Sequence, residues 1–555
     1  MTVGRARVAA IALSLVFFAA VAPTLRWLEF SNGAEGLNLA TAMEIRRTGN
    51  WVAPTLNGQP RLAKPPLTSW IAAASMRSST LSDVVSTDPR VRHAAFDRLA
   101  LDVRWPALLA ACVTLYLTFA LARVLLGDPR AGVIALCVAG SAVLWLRFAR
   151  YATSDVQLAM WVTLANAALA YAVLRGRWIV QCSIAGVALG LAILSKGPVC
   201  LLETIVPTVV FLAWRGRGAG GSMRPAVTAL FLGVLLMLAV ALPWFIVTAL
   251  RQPAAWSTWL AEVSREGATN QEPDKWYAYL AFIVFVAPWS VFFIVGLIDA
   301  IQRVVARRAD GSVYALALLL VPVFVMAFFH DRQIRYLLPM LAPAAVLTAA
   351  GVRLWWIAPA HDRIAHLVEA LHWLGLAALV IGVPLAAATV PSWFPRIDGG
   401  AWFSMAAGIA SAVAGAAVLL VGALSARRAR AALIVASVTS MLALQALFVY
   451  GYKDAPRGRA DMRPLADLIA NDYATADVYT RGRLARPDMN IYLNRPVRPW
   501  SELEPPGARP QVLLLFDDAD VPGEPQPPSG WEPLGAAARH EDHWLAFVRR
   551  PVRND

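Results

Sequence analysis

Apolar runs of roughly 20 residues, parted by short polar or basic stretches, recur from Val8 to Tyr450, and each is long enough to cross a bilayer as a helix. They predict about thirteen membrane spans. These lie near Val8 to Leu28, Pro106 to Leu126, Ala131 to Leu146, Val156 to Leu174, Ile179 to Leu194, Pro198 to Trp214, Ala226 to Ala249, Trp276 to Ile301, Val313 to Phe329, Tyr336 to Val352, Leu367 to Val390, Trp402 to Leu424 and Ala431 to Tyr450. Two regions break the rhythm. Residues 29–104 form a large polar first loop, in which Ala34 to Arg47 and Leu67 to Met76 have the mixed pattern of short helices lying flat at an interface. Beyond Tyr452 the apolar runs stop, and 453–555 is rich in Pro, Asp and Arg. There Val512 to Phe516 reads as a buried strand before an Asp517-Asp518 turn, Asp477 to Tyr479 and Trp544 to Val548 as further strands, and Arg463 to Tyr473 as a helix. The expected fold class is an all-α polytopic membrane protein with a small α/β soluble domain at its C-terminal end. An odd number of spans places that domain on the same side as the first loop.

Composition agrees. Hydrophobic residues make up 58% of the chain and charged residues 15%, which excludes an ordinary soluble protein. The formal charge of +14 is spread over many loops, suiting anionic headgroups better than nucleic acid, which calls for one concentrated basic face. Arg5 and Arg7 flank the first run, which lacks a small-residue cleavage site and reads as a signal anchor. Alternation from a cytoplasmic N-terminus then puts Arg123, Arg130, Arg175, Arg177, Arg303, Arg307 and Arg308 inside, as the positive-inside rule expects. Arg147, Arg150, Lys196, Arg332 and Arg335 fall outside and need another explanation. Cys112, Cys137, Cys182 and Cys200 lie in or at apolar runs without metal-ligand spacing and read as packing residues.

The polar stretch richest in chemistry is Gly49 to Trp70, GNWVAPTLNGQPRLAKPPLTSW, whose four prolines, two glycines and two asparagines force a folded loop. Arg61 and Lys64 sit just ahead of Pro65-Pro66, on a backbone stiff enough to hold a cation at a bilayer surface.

With Glu35 upstream, this run resembles the first outer loop of the dolichyl-phosphate-mannose-protein mannosyltransferase-like superfamily. It is most similar to the bacterial branch that includes the undecaprenyl phosphate-aminoarabinose transferases acting on lipid A. The spans, the large first loop and the small terminal domain extend the likeness along nearly the whole chain. The resemblance implies a GT-C fold in a bacterial inner membrane with its site facing the periplasm. It further implies an inverting transfer of a sugar from a polyprenyl-phosphate donor, undecaprenyl-phosphate above all, to lipid A, another envelope glycan or a protein. Because the lipid phosphate leaves as an anion, no nucleotide cofactor is implied.

In such enzymes the Asp of an Asp-Glu pair near the start of the first outer loop is the base. Here the pair reads Ala34-Glu35, so Glu35 is expected to take that role, unless it only caps or solvates an interfacial helix. Asp155 sits in a Tyr-Ala-x-x-Asp setting similar to the family's second acid, expected to orient the acceptor or pair with a site cation; an N-cap fits as well. Lys64 and Arg265 are implied to bind the donor phosphate, with Arg61 and Arg335 as further cations and Tyr336 as a hydrogen-bond partner. A snorkelling lysine and an interfacial aromatic belt are the bland alternatives for Lys64 and Tyr336. Ala63 and Val263 stand where relatives carry Glu and His, so no metal is expected. His330 beside Asp331 reads as a surface histidine, and Glu203 as a buried hydrogen-bonded acid. Two rival functions remain. A flippase for lipid-linked substrates would need polar residues through the midplane and usually a repeated half; a non-catalytic glycolipid-binding relative is motivated by the missing Asp.

Overall fold

A computed structural model of the chain describes residues 1–26, 30, 33–216, 224–264, 276–329, 332–359, 361–383, 385, 426–452, 463–481, 487–500, 509–516, 529–539 and 542–549. Helix α1 (Val3–Val21) opens the chain. The first loop contributes α2 (Gly33–Thr48), a hairpin of β1 (Thr55–Leu56) and β2 (Gln59–Pro60), α3 (Leu67–Ser75) and α4 (Ser78–Val84). Then come α5 (Pro89–Leu126), α6 (Pro129–Ser141), α7 (Val143–Phe148), α8 (Ser154–Arg175), α9 (Trp178–Lys196), α10 (Val199–Leu202), α11 (Ile205–Arg215), α12 (Arg224–Arg251) and α13 (Ala255–Ser264). After them lie α14 (Phe282–Phe285), α15 (Ser290–Val305), α16 (Gly311–Met326), α17 (Leu341–Ile357), α18 (Arg363–Ala377) and α19 (Ala426–Tyr452). The terminal region holds α20 (Arg463–Asp472), β3 (Asp477–Arg481), α21 (Pro487–Leu493), β4 (Val497–Pro499), β5 (Gln511–Phe516), β6 (Glu532–Arg539) and β7 (Asp542–Arg549).

Trp402 to Leu424 lies outside the described residues, as do 27–28 of the first expected span and 384 and 386–390 of Leu367 to Val390, and the described part of every other expected span falls on one or more helices. Among the described residues, six helical stretches are long and apolar enough to cross a membrane, and four shorter apolar helices of 10–17 residues pack beside them. Several expected spans are broken, among them Ala131 to Leu146 at Ala142, between α6 and α7, Pro198 to Trp214 at Glu203-Thr204, between α10 and α11, and Trp276 to Ile301 at 286–289, between α14 and α15. The opposite happens at Pro106, expected to start a span after a loop. Helix α5 runs straight through it for 38 residues, roughly 57 Å at 1.5 Å per residue. Its second half spans and its first half projects into the first-loop layer, carrying Arg92, His93, Asp102 and Arg104.

Apolar side chains gain little by leaving lipid for one another, so close backbone approach decides which spans meet. On α9, Gly186 and Gly190 are one turn apart and face α12. A Cβ at Gly190 would lie 2.6 Å from Val240 Cβ, and one at Gly186 would strike the Gly233 backbone. Small residues thus seat α9 against α12 and fix Lys196 at the end of α9.

The terminal sheet has the order β4-β3-β5-β7-β6, parallel across β4-β3-β5 and antiparallel across β5-β7-β6. Along β5 the period of two sends Val512 and Leu514 into a core with α20 and α21, and Leu513 and Leu515 into a second cluster with Tyr479, Trp531 and Phe547. The first of these cores continues into the first loop, where Leu39, Met43 and Ile45 of α2 join Leu465, Ile469 and Met489. Helix α2 is therefore enclosed between α3 and the terminal region rather than lying flat on an interface, because its apolar stripe meets protein on both sides. Polar contacts fasten the join. Asp467 of α20 accepts from Arg92 Nε at 2.8 Å and pairs with His93 at 2.8 Å, and Arg47 Nη1 donates to Asn494 O at 2.8 Å.

Candidate functional site

The two acids singled out in the sequence stand on opposite ends of one short segment. Glu35, in the first turn of α2, is fully buried and accepts from Arg104 Nε at 2.8 Å and Nη2 at 2.7 Å in a forked ion pair. Its Oε1 also accepts from Ala152 N at 2.9 Å. Arg104 is equally enclosed: Nη1 donates to Leu25 O at 2.7 Å, and the guanidinium lies 4.9 Å from the Phe30 ring centroid. Sequence reasoning assigned Glu35 the part of general base, and its surroundings oppose that. A base needs an oxygen exposed to its proton donor, whereas both oxygens here are held by Arg104. What Glu35 does instead is tie α5 to the segment Tyr151-Ala152-Thr153, three residues ahead of Asp155. Arg104 carried no sequence signal beyond a cation just before an apolar run.

Asp155 lies in the first turn of α8, whose N-cap is Thr153, so its side chain is released from capping. It pairs instead with Lys196 at the end of α9. Arg335, in a short 3-10 turn (Ile334–Leu337), brings Nε to 3.9 Å from the other Asp155 oxygen. Lys196 Nζ stands 3.9 Å from the Tyr336 ring centroid and Arg335 lies 5.7 Å from it. Asp155 is 3% exposed, while Lys196 and Arg335 keep 19% and 22% of their side chains open. The structure thus gathers Asp155, Arg335 and Tyr336 from distant parts of the sequence and adds Lys196, whose signal was a lone lysine at the outer end of an apolar run.

The stiff loop is built from α2 outwards. Glu44 accepts from Asn57 N at 2.6 Å, Gly58 N at 3.2 Å and Thr55 Oγ1 at 2.5 Å, which fixes the hairpin tip, where Asn57 and Gly58 both have positive φ. Asn57 Oδ1 in turn accepts from Val497 N at 3.1 Å and from Asn490 of the terminal region. Arg61, expected to touch substrate, turns into the fold: Nη1 donates to Leu37 O at 3.0 Å, Thr41 Oγ1 at 2.9 Å and Asn38 Oδ1 at 3.3 Å. Desolvation draws its pKa down to about 10, which leaves it charged at neutral pH. Two indoles from the α12–α13 corner hold the strand ends: Trp244 Nε1 donates to Val52 O at 2.8 Å and Trp259 Nε1 to Leu62 O at 2.9 Å. Lys64 follows two residues later and is exposed. Thr68, four residues beyond it, bonds Gln157 at 3.2 Å, two residues beyond Asp155, so the loop and the Asp155 cluster share one end of the bundle. Arg265, with His330 and Asp331, lies outside the described residues. Among the described residues, no three His, Cys, Asp or Glu side chains converge as a metal site.

Residues 91–247 match the family described as dolichyl-phosphate-mannose-protein mannosyltransferase, a stretch that holds Arg104, Asp155 and Lys196. An undecaprenyl phosphate-alpha-4-amino-4-deoxy-L-arabinose arabinosyl transferase 1 of Pseudomonas fluorescens is 26% identical over 333 residues, covering 57% of this chain and 52% of the relative. A transferase of the same description from Pseudomonas aeruginosa is 28% identical over 312 residues, covering 54% and 51%. The chain thus spans about half the length of the curated relatives it matches. Its fold superimposes on the crystal structure of ArnT from Cupriavidus metallidurans in the apo state with a TM-score of 0.71 at 17% identity, covering 98% of this chain and 97% of the other. The same protein bound to undecaprenyl phosphate gives 0.70. The chain is a membrane-integral protein of GT-C fold, similar to the aminoarabinose transferases and to the dolichyl-phosphate-mannose-protein mannosyltransferases.

Proposed function

We propose that this protein is an inverting glycosyltransferase that takes a sugar from a polyprenyl-phosphate donor, undecaprenyl-phosphate in the first place, and passes it to an envelope acceptor. It works in a bacterial inner membrane with the site on the periplasmic side, where the first loop and the terminal sheet lie together. The observation that carries this reading is the pairing of two half-open cations, Lys196 and Arg335, with one buried acid, Asp155, beside the Tyr336 ring. With the nearby Glu203 carboxyl protonated they exceed the single charge of Asp155, which suits a phosphodiester at the end of a lipid chain. Lys64 adds a cation on the loop side of the same end.

In the displacement, the acceptor oxygen bonds to the anomeric carbon as the bond from that carbon to the phosphate oxygen breaks. The electron pair leaves with the phosphate, where Lys196 and Arg335 meet the growing charge. The acceptor proton goes to a carboxylate, and Asp155 is the acid placed to receive it once the phosphate draws Lys196 away. Glu35 serves at one remove, by holding Ala152 and hence Asp155. A single displacement inverts the anomeric centre. Lipid A, another envelope glycan and a protein hydroxyl all suit this chemistry, and the names of the similar transferases favour lipid A and aminoarabinose. The test is transfer of labelled sugar from a polyprenyl-phosphate donor by the purified protein and by Asp155→Asn. Loss of transfer with the fold intact supports the reading, and an active Asp155→Asn overturns the role of Asp155.

A further inference from the structure

The Asp155 cluster has a fourth member that the displacement does not use. Glu203 sits at the break between α10 and α11, seven residues after Lys196, and is 1% exposed. Its Oε2 is buried with no hydrogen-bond partner among the described residues. Asn166 of α8 donates from Nδ2 to the Glu203 carbonyl at 3.3 Å, yet Asn166 Oδ1 is also without a partner. A buried carboxylate oxygen with no donor is costly to keep charged, and a proton on Glu203 removes that cost.

The groups around Glu203 define what that proton does. Lys196 from α9 and Asp155 from α8 act on it electrostatically, and Cys200 of α10 lies close by, bonded to Gly197 O at 3.6 Å. Helix α11 brings no acid or base before Arg215 at its far end. With Glu203 ionised, the formal charges of Lys196, Arg335, Asp155 and Glu203 cancel. With Glu203 protonated the cluster is singly positive, and a phosphodiester anion then brings it to neutrality. Low-dielectric surroundings penalise any other total.

We propose that Glu203 is the proton-accepting partner of the phosphate site: an anionic phosphodiester settles on Lys196 and Arg335 as the Glu203 carboxylate takes a proton from water, so that binding is proton-linked. The inference rests on reading the cluster as a lipid-phosphate site, and it makes Glu203 a positioning residue that acts through Lys196.

Calorimetry of the full-length protein in detergent tests it, with a short-chain prenyl phosphodiester that does not itself titrate near neutral pH. Titrations in two buffers of different ionisation enthalpy report the protons taken up. In the alkaline part of the range, where Glu203 of the free protein is ionised, the wild type is expected to take up a proton on binding and its affinity to fall by up to about tenfold per pH unit. Glu203→Gln keeps the shape and removes the titration, so it is expected to bind with no uptake and a flat pH profile, while Glu203→Asp restores both. Binding by the wild type without proton uptake, or equal uptake by Glu203→Gln, overturns the role of Glu203 and leaves the phosphate site standing. A diester that fails to bind the wild type overturns the phosphate site itself.

Discussion

Two acid–cation groupings lie at the same end of this protein and differ in one respect. Around Glu35 and Arg104 every strong donor and acceptor is directed at a protein partner, and neither side chain is exposed. Around Asp155 the cations are partly open, and among the described residues Arg335 Nε and Glu203 Oε2 are buried without a hydrogen-bond partner. A buried pair with its lone pairs satisfied holds segments in register, whereas a cluster with cations open on one side has something left to bind. The contrast separates scaffold from chemistry more sharply than the residue types do, since both groupings contain an acid and a basic residue.

Breaking the closed pair should have the largest effect. Arg104→Ala leaves the Glu35 carboxylate buried and unpaired, a loss of about 3–5 kcal/mol, seen as a much lower unfolding temperature in detergent. Glu35→Ala together with Arg104→Ala should be less damaging than Arg104→Ala alone. If Glu35→Gln folds normally and loses only its rate, Glu35 belongs with the chemistry and the contrast fails. Lys196→Ala is the mirror experiment: a smaller fall in unfolding temperature, since Arg335 remains beside the Asp155 carboxylate, with transfer slowed by about a hundredfold, since one donor to a developing anion is worth about 2–4 kcal/mol. Measuring both quantities on the same preparation separates the two groupings. Lys64→Ala should cost less, about tenfold in rate, because an exposed ammonium is screened by water. A smaller change still is expected from Asn57→Ala at the join between hairpin and terminal region, about 1 kcal/mol of stability for the bonds to Val497 and Asn490. Excess chelator should change nothing in transfer. Loss of activity restored by a divalent cation would show that the replacement of Glu and His by Ala63 and Val263 does not abolish a metal site.

Much of the architecture was legible because its causes are local. The membrane spans follow from runs of apolar residues, and strands β3, β5 and β7 from short β-branched and aromatic runs between turn residues. The continuous apolar run Val512 to Phe516 foretold a buried strand, and both of its faces meet a core. The site was legible in part. Asp155, Arg335 and Tyr336 stood out as polar groups at span ends, where a charge near lipid demands a reason. Arg61 misled because a cation on a stiff loop looks the same in sequence whether it faces a ligand or the back of α2. Helix α5 misled because Pro106 reads as a break, although its neighbours support a helix through it.

The sequence by itself determined that this chain crosses a membrane repeatedly, that a large polar loop follows its first span and that a small sheet closes it, because hydropathy and residue periodicity act over one segment at a time. Only the tertiary structure decided which cation each acid meets. Glu35 meets Arg104 across 69 residues and Lys196 reaches Asp155 across 41, and those meetings depend on how α5, α8 and α9 pack, down to the glycines that let α9 approach α12. A side chain's role in a site follows from its partners, and partners this far apart are chosen by packing rather than by neighbours in the chain.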